Sequence, residues 1–138
     1  MEREKEPVVA QEVAEAEYER MLEKMDLHFD GMNDEEEESL GQHRRRIIRA
    51  IMEGRLVVDE KGQPTFTPVS GGDAITFREY TGRSLMSIDG KPRKKSWDAT
   101  NMMDLMADMT KTPRAIYAAM PQRDLKVCMA VSILFMQG

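Results

Sequence analysis

At 138 residues the chain has room for one modest domain with an extension, and not for two cores of ordinary size. Its composition, 41% apolar and 33% charged, is that of a globular protein; its single cysteine excludes an internal disulfide and a four-cysteine metal site, and suits a reducing cytosol. The net charge of −5 is unevenly laid: residues 1–39 hold 15 acidic and 4 basic residues, net −11, and residues 40–138 hold 10 acidic and 16 basic, net +6.

The opening MEREKEP is charged from its second residue and lacks an apolar h-region. The longest nearly apolar run, Val127 to Met136, is far below membrane-span length, so neither secretion nor a membrane span is expected. From Val8 to about Phe29 the residues are good helix formers, and Tyr18, Leu22, Met25 and Phe29 recur on one face. The spacing predicts one amphipathic helix in an acidic arm, residues 1–39. Such an arm can fold back on the mildly basic body, mimic a polyanion, or keep the protein soluble, and solubility is the plainest role.

The remainder, residues 40–138, reads as an α+β domain. A helix is expected over 40–54, with Ile47, Ile48, Ile51 and Met52 on one side and Gly54 at its end. Over 55–79, RLVVD, PTFTPV and AITFRE form a small antiparallel three-stranded meander. Pro64 and Pro68 each remove a ladder donor, which puts the middle run at an edge or gives it an irregularity. Such a sheet needs helices on one face, and residues 81–138 supply a C-terminal bundle of short ones.

In that bundle Thr81 is placed to cap a helix through Ile88, ended by DGKP. Asp98 caps a second helix with a Met102, Leu105, Met106, Met109 stripe, Thr112–Pro113 starts a third, and Pro121 starts the last. Apolar residues occupy nearly every face of the last helix, so it is either buried or docked on another chain, and so small a protein has little room to bury it fully. The 13 methionines are mostly core filling by this reading, though a Met-rich surface adapts to several partners.

Chemistry-bearing patterns are few. Asp26, Asp30, Gly31, Asp34 and Glu37 have the frame of a calcium loop, but His28 stands where an oxygen ligand is needed, Asn33 where an apolar residue is usual, and no second loop exists; an acidic linker is the better reading. Lys91 to Trp97, KPRKKSW, and the triplet Arg44 to Arg46 could touch phosphates, yet loop content and a solvated helix face explain them as well. His28 and His43 lie far in sequence from Cys128, and no carboxylate pair is singled out, so an enzyme is not expected. Neither phosphate-loop spacing fits EYTGRSL, which leaves Thr81 and Gly82 as a structural joint; no metal or cofactor is expected.

At that joint the strings ITFREYTGRSLMSID and LMADMTKTPRAIYAAMPQRDLKVCMAVSILFMQG resemble the phage tail assembly chaperones of the Mu type. Ile75, Thr76, Phe77, Arg78, Glu79, Thr81 and Leu85 match the first motif, and Leu105, Thr110, Ile116, Met120, Asp124, Val131 and Phe135 fall in the second pattern. Tyr80 replaces a usual Pro, and Ser84 a usual acidic residue. The resemblance covers roughly residues 55–138. It implies a non-enzymatic protein of the host cytoplasm that binds the tape-measure protein, keeps it soluble during tail assembly and is absent from the finished particle. It also implies that a frameshifted longer product can accompany it. A small structural adaptor retained in the particle is the alternative, and a nucleic-acid-binding module a third. Met102, Met106, Met109, Leu125, Met129 and Phe135 are the candidate partner or self-association surface because they are more apolar area than so small a body needs, with core packing the stronger reading for Leu125 and Phe135.

Overall fold

In the computed structural model, residues 9–69, 71–79 and 99–137 are described. Five helices and three strands occur among them: α1 (Gln11–Lys24), α2 (Asp34–Met52), β1 (Leu56–Val58), β2 (Pro64–Phe66), β3 (Ile75–Thr76), α3 (Ala99–Thr110), α4 (Arg114–Ala118) and α5 (Gln122–Gln137). The α+β class and the antiparallel β1-β2-β3 meander are as the sequence led one to expect. The expected helix from Thr81 to Ile88, the Asp98 cap and the KPRKKSW loop lie outside the described residues.

Helix α1 is shorter than its periodicity suggested. Asp26 turns left-handed at φ 56, its N–H bonds Glu23 O at 3.2 Å and the Leu27 N–H reaches Leu22 O at 2.9 Å, which is a Schellman end. An acidic residue tolerates that conformation, so the chain stops being helical there although Leu27 and Phe29 still pack against the core. The residues that α1 buries are Ala14, Tyr18 and Met21, one step round the helix from the expected face. They join the common core, so this acidic segment folds back on the body.

Helix α2 starts at Asp34, six positions before the helix expected at 40–54. Asn33 caps it: its Oδ1 accepts from the Glu36 N–H at 2.8 Å, and its own N–H donates to Glu36 Oε1 at 3.1 Å, a complete capping box. The carboxylates after it face the positive end of the helix dipole. A boundary between residues 39 and 40 therefore falls inside a helix. At the other end Gly54, at φ 77, closes a second Schellman turn, with Gly54 N–H on Ile51 O and Arg55 N–H on Ala50 O, both 3.0 Å.

Of the two expectations for the proline strand, the sheet overturns the edge position, for β2 lies in the centre. Pro64 is the first residue of β2, where a missing N–H costs least. Its carbonyl accepts from the Phe77 N–H at 2.9 Å, and only the return bond is lost. Leu56, Val58, Phe66, Ile75 and Phe77 are buried on one face, while Val57 is exposed and the Thr65 and Thr76 hydroxyls pair at 3.0 Å on the other.

The helices cover the apolar face. Met102, Leu105, Met106 and Met109 of α3 are buried together with Val127, Cys128, Ala130, Val131, Leu134 and Phe135 of α5. Helix α5 packs on both α2 and α3, and α1 lies on α2 and β1. Most of the apolar circumference of α5 is thus covered within the chain: Gln122, Arg123 and Lys126 are exposed along its first fifteen residues, and Leu125, Met129, Ile133 and Met136 are partly buried. No described helix is long and apolar enough to cross a membrane.

Candidate functional site

The expected surface of six residues is mostly core. Met102 and Met106 are fully buried, Met109 and Phe135 nearly so, and Leu125 and Met129 are half-buried against the same cluster. The four buried ones bind this chain to itself, α3 packing on α4 and α5 and α5 on α2, while Leu125 and Met129 keep part of their surface open.

A more open feature lies on the other side of α3 and α4. A cleft of about 670 Å³ runs between the segment Pro68 to Arg78 and the segment Thr110 to Met120. Its sheet side carries Pro68, Ala74, Ile75, Thr76 and Arg78, and its helix side Thr110, Lys111, Pro113, Ile116, Ala119 and Met120. Ile116 is 48% exposed, a large apolar side chain held at the mouth of an apolar floor. Asp73, Arg78 and Lys111 supply charges at its edge.

The helix side is rigidly built. Lys111 takes φ 58 and the Thr112 N–H returns to Ala107 O at 3.1 Å, which ends α3 and turns the chain into α4. Below the turn Thr110 Oγ1 donates to Met106 O at 2.6 Å and shares a hydrogen bond with the buried Tyr117 hydroxyl. Burial pushes the Tyr117 phenol up to about 12, so it stays protonated. Arg114 Nε meets Asp104 at 3.2 Å and ties α4 to α3. Beneath Met120 lies Cys128, whose thiol points at the Met120 sulfur at 3.8 Å. Burial, and then the nearby Asp124, push that thiol up to about 12, which removes its thiolate at neutral pH.

Sheet and helix sides are joined by Asp124, buried at the start of α5. Its Oδ1 accepts from the Val69 N–H at 2.9 Å and faces Arg55 Nη1 at 3.5 Å. Arg55 in turn holds Glu53 at 2.7 Å and lies over the Phe66 ring at 5.8 Å. This network was not anticipated from sequence; a lone acidic residue in the first turn of an apolar helix is its only trace.

The two motif-like blocks meet at the cleft. Thr76 lies on β3 and Arg78 lines the wall, while Glu79 follows, exposed; Thr81 and Leu85 lie outside the described residues. From the second block Thr110, Ile116 and Met120 line it, and Asp124 anchors it.

The remaining candidates are dispersed. Asp26 pairs with His28 Nε2 at 2.7 Å and ends α1, while Asn33 caps one position ahead of Asp34 in the calcium frame. Among the described residues no group of three or more His, Cys, Asp or Glu could hold a metal. Arg44 lies over Tyr18 at 5.4 Å, while Arg45 and Arg46 are exposed. His43, half-buried beside Arg46, is pushed down by desolvation and by that charge. Comparison with models of known families, with curated proteins and with solved structures found no match.

Proposed function

We propose that the chain is a non-enzymatic tail assembly chaperone of a tailed phage, which holds an apolar helical stretch of the tape-measure protein and keeps it soluble until the tail tube forms. The observation that carries this reading is the convergence of the two resembling blocks on one cleft. Segments 40 residues apart in sequence, around Thr76 and around Ile116, supply its opposite walls. An apolar floor with a charged edge suits one face of an amphipathic helix, the apolar side chains filling the cleft and the polar ones meeting Asp73, Arg78 and Lys111.

Co-expression with a tape-measure protein tests it. The expected result is that the partner moves from the insoluble to the soluble fraction and co-purifies with the chaperone, while purified particles lack it. A partner equally insoluble with and without the chain would defeat the proposal, and stoichiometric copies in particles would favour a retained adaptor.

A further inference from the structure

Helix α2 carries an exposed stripe that is charged in opposite senses at its two ends. On the side of the helix away from buried Ile47, Ala50 and Ile51, and bordering buried Ile48, lie Asp34 and Glu38 in the first half and Arg45 and Arg49 in the second. Gly41 and Gln42 sit between them, so the stripe runs acid, neutral, basic along about 22 Å of helix.

Within one helix these charges do not meet. Asp34 has Glu38 four residues on, Glu38 has Gln42, and Arg45 has Gly41 four residues back. Opposite charges therefore miss the spacing at which a helix pairs them. Arg49 does reach Glu53 at 3.3 Å, but its side chain is 80% exposed and free to exchange partners.

Gly41 is a second, separate observation. Glycine inside a helix is unfavourable, and its φ is not in the left-handed region that would require it. Among the described residues an added Cβ would meet only the tip of Arg45, at an ordinary 3.6 Å, so the described fold of the single chain gives no reason for a missing side chain there.

We infer that α2 pairs with α2 of a second copy of this chain, antiparallel, about a two-fold axis passing beside Gly41. In that register Asp34 faces Arg49 of the second copy, Glu38 faces Arg45 of the second copy, and both contacts recur by symmetry. Gly41 lies at the crossing, where the absent side chain lets the two backbones approach. The contact is small and mostly ionic, so the dimer is weak and salt-sensitive. The inference does not depend on the phage reading, and it uses a face remote in sequence from the cleft segments.

Sedimentation equilibrium on the whole chain is the test. The wild type should dimerise at low ionic strength, with dimer affinity falling at least about tenfold as salt rises well above 0.1 M. Asp34→Lys with Glu38→Lys, and separately Arg45→Glu with Arg49→Glu, should each be monomeric; an equimolar mixture of the two should form a heterodimer, which also shows that both variants remain folded. Gly41→Ala should raise the thermal midpoint yet weaken the dimer, a split that a purely intramolecular role does not give. A wild type that stays monomeric at low salt, a dimer indifferent to the charge reversals, or a mixture that remains monomeric would overturn the inference.

Discussion

Gly62 sits in the β1–β2 turn at φ 84, against the end of α1. A methyl group there would overlap Lys24 Cβ in a backbone conformation that L residues rarely adopt. Gly62→Ala should therefore cost about 2 kcal/mol or more, read from a chemical denaturation midpoint. Cys128 gives a pH signature. Below pH 9 the folded and unfolded chains both keep the thiol proton; above it the unfolded chain releases the proton first, because the folded thiol is raised to about 12. Stability should fall as pH rises from about 9 towards 12, and more gently in Cys128→Ala. The raised phenols of Tyr18 and Tyr117 add to the alkaline loss in both proteins, so an unchanged slope in the variant would remove Cys128 from the account.

At the scale of elements, polar links fix how the pieces are set. Arg20 donates to the carbonyls of Val58 and Asp59, each at 2.8 Å, and to Glu17, so α1 is pinned to the end of β1. Asp124 does the same for α5, and Asp124→Ala would leave Arg55 and the Val69 N–H without their carboxylate. It should cost about 3 kcal/mol in a denaturant titration; a loss under about 1 kcal/mol would show that the network is dispensable. What was legible in the sequence follows from the same physics. The Met102 to Met109 stripe, the Gly54 end and the three strands were readable because helix period, a left-handed glycine and β-rich runs around turns are local signals. The start of α2 was readable in principle, since Asn33 and Glu36 have capping-box spacing, but the acid run after them resembled a linker. The end of α1 rests on a left-handed aspartate where no glycine marks the turn, and the central position of β2 and the Arg55–Asp124 link depend on contacts between distant segments, which no local pattern carries.

At the scale of the molecule, the separation of an acidic arm from a basic body gives way to one core. Ala14, Tyr18 and Met21 of the acidic part share it with α2, the sheet and α5. Of the methionines expected at a partner surface, Met102, Met106 and Met109 are inside it and Met129 is half-buried against it, whereas Ile116 of the cleft is exposed. Core and cleft can be separated by mutation. Phe135→Ala should cost about 3–5 kcal/mol of stability, whereas Ile116→Asp should leave the fold within about 1 kcal/mol of the wild type. The most direct measurement is calorimetric titration of a soluble apolar helical segment of the tape-measure protein into the wild type, Ile116→Asp and Met120→Asp. Saturable binding to the wild type is expected, weakened at least about tenfold in the folded Ile116→Asp variant and weakened also in Met120→Asp. Undiminished binding by Ile116→Asp, or no binding by the wild type to any such segment, would contradict the proposed role of the cleft.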